Sequence, residues 1–175
     1  DAVKYKGGTR LTMVCGFRAL KDYRMKEDNV REISRLLSAK PEESALAVHR
    51  LQDEARMWKE KLVRVQSHTM ERILDNLSGD VENYFLFEED VDKNVARRFV
   101  DEGKGKCHGI CGIFLGNAAD GYRYILGSES VDLKAFSKGF HETLGGKGGG
   151  KSEMIQGTVS GSGEMIRSYM ESAFK

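Results

Sequence analysis

The sequence predicts an α/β chain of the α+β kind, a long antiparallel helical arm followed by a small mixed-sheet domain with a glycine-rich loop. Three observations lead there. Apolar residues recur in steps of four and three between Leu51 and Val65, strand and helix patterns alternate from Val81 onward, and glycines crowd positions 145–150.

The first stretch, Thr9 to Val14, alternates polar and apolar side chains, the period of a half-buried strand. Cys15-Gly16 ends it, and Phe17 to Tyr23 reads as a short helix. Residues 1–23 are too few to bury a core, so they are expected to be the remnant of an upstream domain in a longer polypeptide. Residues 24–78 read as a helical arm. Val30, Ile33 and Leu37 share a face, with Asp28 or Asn29 as a cap, and Pro41 before Glu42-Glu43 marks a second helix start. Leu51, Ala55, Trp58, Leu62 and Val65 form a heptad seam that calls for a partner helix, expected from another subunit, as a homodimer, or from a domain outside this sequence. Beyond Val65 the stripe shifts to Met70, Ile73, Leu74 and Leu77.

Residues 79–175 read as the α/β domain. Tyr84–Phe87, Gly109–Leu115 and Tyr122–Leu126 are strand candidates, with a hairpin turn at Asn117–Gly121. Asp90 or Asp92 caps a helix carrying Val95, Phe99 and Val100. Another helix runs from Asp132 to Leu144, and a last one from Gly163 to Phe174 turns Met165, Ile166, Tyr169 and Met170 inward.

Composition narrows the function classes. No apolar run approaches the ~20 residues of a membrane span. The net charge of +1 means that any surface for a polyanion must be local. Three scattered cysteines, Cys15, Cys107 and Cys111, suggest a reducing cytoplasm and no disulfide framework. Cys107-His108 and Cys111 offer three soft ligands where a structural zinc takes four, so no metal site is expected in this segment.

The richest motif is Gly145-Gly146-Lys147-Gly148-Gly149-Gly150-Lys151-Ser152, followed by Gln156-Gly157. Five glycines in six positions cost the chain ~0.5–1 kcal/mol each relative to alanine. Such a run persists where backbone must approach something closely or take positive φ. Its amides, with Lys147 and Lys151 beside them, suit phosphate. A flexible linker is the bland alternative, but regular helical patterns flank the run on both sides. Gly145 to Ser152 has the letters of Gly-x-x-x-x-Gly-Lys-Ser, but the run follows a helical pattern and not the strand that a nucleotide-binding P-loop needs, so it is not read as one.

This motif resembles the glycine motif of the DHH-associated domain, found at the end of alanyl-tRNA synthetases, stand-alone alanyl-tRNA editing proteins and DHH phosphoesterases. Gly145, Gly146, Gly148, Gly149, Gly150, Lys151, Gln156 and Gly157 carry the resemblance. Lys6-Gly7-Gly8 through Val14-Cys15-Gly16-Phe17-Arg18-Ala19-Leu20 resembles the last strand and helix of an alanyl-tRNA editing domain. The resemblance implies binding of tRNA, alanine tRNA in particular, through residues 145–152 with Gln156 and Gly157, and dimerisation through the arm. It further implies an aminoacyl-tRNA deacylase whose zinc ligands, a His-x-x-x-His and a Cys-x-x-x-His pair, lie outside this sequence. No catalytic residue is expected within it. The alternative that the same motif implies is the substrate-binding domain of a DHH phosphoesterase or nuclease.

Overall fold

Lys6 and Gly7 both take positive φ, 39° and 79°. That is the two-residue turn whose twist matches its flanking strands, and it joins β1 (Ala2–Tyr5) to β2 (Gly8–Leu11) as an antiparallel hairpin. The computed structural model describes residues 1–77 and 81–173. Two units divide between Trp58 and Lys59, inside a continuous helix. The expected domain boundary at 78/79, like the expected helix end at Phe174, lies outside the described residues.

In the first unit, α1 spans Gly16–Leu36. The short helix expected at Phe17–Tyr23 and the one expected after Arg24 are therefore one, and Asp28 and Asn29 are interior positions, not caps. Nothing in that stretch breaks the helix, since it holds no proline and no glycine after Gly16. Ser38, at φ 50°, ends it: Ala39 N–H donates to the Ser34 carbonyl at 2.9 Å and Ser38 N–H to that of Arg35 at 3.3 Å, the left-handed cap usually reserved for glycine. A 3-10 turn at Pro41–Glu43 opens α2 (Ser44–Asp75). The only buried residue of this unit is Ser34, whose hydroxyl meets that of Ser44 at 3.0 Å.

The register change after Val65 has a structural counterpart. Leu51, Leu62 and Val65 are 54%, 55% and 63% exposed, whereas Met70 and Leu74 are buried, with Ile73 and Leu77 packed around them. The last turns of α2 thus become part of the sheet domain's core. The side chain of Gln66 pins the next loop, donating to Asp90 O and accepting from Asp92 N–H, both at 3.0 Å. Lys106 Nζ donates to the Leu74 carbonyl at 2.8 Å, at the helix's C-terminal end.

The second unit is built on a five-stranded mixed sheet of order β3-β4-β5-β7-β6. Its strands are β3 (Tyr84–Glu88), β4 (Cys111–Asn117), β5 (Gly121–Gly127), β6 (Lys147–Lys151) and β7 (Met154–Val159). β3 and β4 run parallel, joined through α3 (Lys93–Gly103), and the remaining pairs are antiparallel. Asp92 caps α3 by accepting from Asn94 N–H, and Asp132 caps α4 (Leu133–Leu144) in the same way. One sheet face packs on α2 and α3 through Met70, Leu74, Val95, Phe99 and Val100. The other packs on α4 and α5 (Gly163–Ala173) through Leu133, Phe140, Ile166 and Met170. Met165, expected to face inward, is 57% exposed; in α5 the buried positions are Ile166 and Met170, a four-residue step that leaves Met165 off the stripe.

The glycine-rich stretch is not a loop. Residues 147–151 are the edge strand β6, in a hairpin with β7 that alternation in the sequence does not announce. Glycines carry no side-chain period, so a strand made of them has no polarity pattern to read.

Candidate nucleic-acid interface

Paired residues on neighbouring strands point to the same face, so the register assigns each residue of the glycine stretch to a side. Gly145, at φ 60°, is the left-handed C-cap of α4. Gly148 sits opposite Gly157, and Gly157 opposite Tyr124. This row continues through Phe114 and Phe87, whose rings stack 4.7 Å apart. It is an aromatic ladder that ends in two bare positions. A Cβ on Gly148 would lie 2.8 Å from Gly157 Cα and collide with the Tyr124 hydroxyl and Gln156 O; one on Gly157 would lie 2.6 Å from Gly148 Cα and collide with the Lys147 carbonyl. The glycines make room for the Tyr124 side chain, whose hydroxyl meets His141 Nε2 on α4 at 2.6 Å. Burial pushes the Tyr124 hydroxyl up to about 12, so at neutral pH it keeps its proton. Gly146 and Gly150 also sit where a Cβ would meet backbone: Thr158 O at 2.8 Å for the first, Met154 O for the second.

Gly149 differs. A Cβ there would find nothing within 4 Å. It pairs with Gln156 and lies on the opposite face, between Lys147, which pairs with Thr158, and Lys151, which pairs with Met154. Arg123 pairs with Thr158 from β5, completing a row Arg123–Thr158–Lys147. All of these but Met154 are exposed. Two adjoining hollows open on this face and share Gln156. One of about 500 Å³ is lined by Lys93, Arg123, Thr158, Asp90 and Asp92 among others. The other, of about 290 Å³, is lined by Arg97, Lys104, Lys151, Asp101 and Glu153 among others.

Among the described residues, none of Lys93, Arg97, Arg123, Lys147 and Lys151 has an ion-pair partner within 4.0 Å, in contrast to Arg98, which reaches Glu102 at 2.6 Å and Glu71 at 3.5 Å. Such a surface supplies charge-assisted donors and a side-chain amide, which is binding chemistry.

The glycine run expected to act as one site is therefore divided. Lys147, Gly149, Lys151 and Gln156 come together on the open face. Gly146, Gly148, Gly150 and Gly157 serve strand packing, Gly145 caps a helix, and Ser152 lies in the exposed turn, its carbonyl accepting from Leu133 N–H at 2.9 Å. Arg123, Lys93 and Arg97 were not legible as neighbours, because only the register and the α3 crossover bring them there. Elsewhere, Cys107 and Cys111 are buried. Their mutual hydrogen bond, then burial, pushes the Cys111 thiol up. His108 is exposed. On the arm, Leu51, Ala55, Trp58, Leu62 and Val65 lie along α2, with Leu51, Trp58, Leu62 and Val65 among the exposed large apolar residues. No described helix is long and apolar enough to cross a membrane.

No protein-family model and no curated protein matches the sequence. Among solved structures, the C-Ala domain of alanyl-tRNA synthetase from Aquifex aeolicus is similar over 55% of this chain and 93% of that domain, at 18% identity and a TM-score of 0.47. RecJ from Thermus thermophilus, in complex with Mn2+, is similar over 75% of this chain at 9% identity and a TM-score of 0.48. The chain spans only 19% of the length of RecJ. Both are partial resemblances at low sequence identity.

Proposed function

We propose that the unit Lys59–Lys175 binds RNA, with tRNA as its ligand, and that α2 joins two copies of the chain. The observation that carries the RNA reading is the set of unpaired cations around a floor with no side chain at Gly149. Lys147 and Lys151 stand on either side of that floor, and Gln156 beside it can donate to and accept from a sugar or base edge. The choice of tRNA, and of an alanyl-tRNA editing protein as the setting, rests on the likeness of the glycine motif and of residues 6–20 to that family. In that setting this segment anchors the tRNA, and the zinc-dependent hydrolysis belongs to another domain.

The test is fluorescence anisotropy with labelled alanine tRNA at low salt. Binding should weaken steeply as salt rises, and the double change Lys147→Glu/Lys151→Glu should abolish most of it. Unaltered affinity in that variant removes the reading. Stronger binding of single-stranded DNA than of tRNA would turn it toward a nuclease-associated domain.

Pairing through α2 is supported by exposed Leu51, Leu62 and Val65 at heptad spacing. Sedimentation of the wild type as a dimer, and of Leu51→Glu/Leu62→Glu as a monomer, is the expected outcome. A monomeric wild type at high concentration refutes it.

A further inference from the structure

We infer that the ligand segment in this groove is a single polynucleotide strand, not a duplex, and that Lys93 and Arg97 of α3 hold its phosphates from the side opposite Lys147 and Lys151. The inference rests on the RNA reading above and specifies which form of RNA the groove takes.

The groove's width is the first argument. Helix α3 packs on β4 and β5 through Val95, Phe99, Val100, Ile113, Leu115 and Ile125, while Gln156, Thr158, Lys147, Gly149 and Lys151 remain exposed on the two outer strands. The open floor is therefore about two strands wide, ~10 Å at a spacing of ~4.8 Å. One sugar–phosphate backbone fits lengthwise in such a strip. A duplex, with two backbones, would rest on the rim.

The second argument is the placement of charge. Lys93 and Arg97 are one helical turn apart and so share a face of α3. Each lines one of the two hollows that meet at Gln156. The neighbouring cations are engaged, Arg98 of α3 with Glu71 and Glu102 and Lys104, just past the helix, with Asp101 at 2.9 Å. Across the floor, Lys147 and Lys151 are ~13 Å apart along β6. Two cations of α3 thus stand on one side of β7 and two cations of β6 on the other, with Gln156 of β7 between them. Acidic groups bound it, Asp90 and Asp92 in one hollow and Asp101 and Glu153 in the other. Asp92 is already an acceptor for Asn94 N–H, and Asp101 is paired with Lys104. The carboxylates limit the strip's length and leave its middle cationic.

The third argument is what the floor lacks. The rings of Phe87, Phe114, Tyr122 and Tyr124 belong to the cluster on the opposite sheet face. Without an aromatic platform the groove grips the backbone and stacks no base, so discrimination among sequences should be weak and salt dependence strong.

The full chain is titrated at low salt with a labelled 12-nucleotide oligo-U, a blunt 12-base-pair RNA duplex and tRNA. Oligo-U is expected to bind at least tenfold more tightly than the duplex. Lys93→Glu/Arg97→Glu should lower oligo-U affinity at least tenfold at an unchanged melting temperature, and Arg98→Glu should leave it unchanged. A duplex that binds as well as oligo-U, or an α3 double variant with wild-type affinity, overturns the inference. Continued sensitivity to Lys147→Glu/Lys151→Glu would then leave the RNA reading standing. Displacement of oligo-U by polyglutamate at equal charge concentration would assign the groove to acidic protein and overturn the inference. Failure to bind any RNA removes both readings.

Discussion

The two sides of the β7–β6 hairpin use the same residue type for opposite ends. Toward α4, Gly148 and Gly157 lie against the Tyr124 side chain, and an added methyl would collide with backbone. Toward α3, Gly149 touches nothing that an added methyl would meet. A glycine in a strand weakens it unless something must come close. On the α4 side that something is a tyrosine of the same chain. On the α3 side the protein offers no such neighbour, and the position lies open between Lys147 and Lys151. Glycine content alone therefore does not mark a binding surface; the direction in which each glycine faces separates packing positions from open ones.

The sharpest way to break this comparison is charge reversal on the open face. Lys147→Glu/Lys151→Glu should weaken RNA binding by about a hundredfold, at ~1.5 kcal/mol for each lost charge-assisted contact, with folding intact by circular dichroism. A loss of folding instead would show that the open face is structural. Next comes Gly157→Ala, which should cost about 2 kcal/mol of stability by overpacking, read as a lowered denaturation midpoint. A variant as stable as wild type would mean that the β6–β7 pairing has slack.

Tyr124→Phe removes the hydroxyl from His141 and should cost about 1 kcal/mol. Its pH signature is more specific. The folded hydroxyl titrates near 12 against an ordinary value of 10.0. Between those values the unfolded chain has lost a proton that the folded chain keeps, so stability falls as pH rises through that window. The phenylalanine variant should show a shallower fall in chemical denaturation between about pH 9.5 and about 12. Smallest is Gly149→Ala. It should leave stability unchanged or raise it by about 0.5 kcal/mol, since alanine narrows the unfolded ensemble, while RNA affinity drops several-fold. Unchanged affinity would remove Gly149 from the contact surface.

A similar contrast separates the two halves of α2. Leu51 to Val65 repeats apolar residues as faithfully as Met70 to Leu77, yet only Met70 and Leu74 are buried. Periodicity announced a stripe and even the point where it changes register. It carried no information on whether that stripe meets a sheet or remains exposed.

Much of the sheet domain was legible because its residues have pattern. Tyr84–Phe87 and Tyr122–Leu126 fall within β3 and β5, and Asp92 and Asp132 cap the helices they precede. The helix from Gly16 to Leu36 was read as two, because its mostly polar length offers only weak apolar spacing. Local chemistry thus determined by itself the helices with caps, the strands with apolar runs, and the presence of a glycine and lysine cluster. Tertiary structure alone decided that this cluster is an edge strand, which of its glycines face Tyr124, and that Arg123, Lys93 and Arg97 stand near Lys147 and Lys151. The reason is physical. Strand register and helix crossover join residues up to 58 positions apart along the chain, from Lys93 to Lys151, and no periodicity in one segment encodes the partner that another segment will present to it.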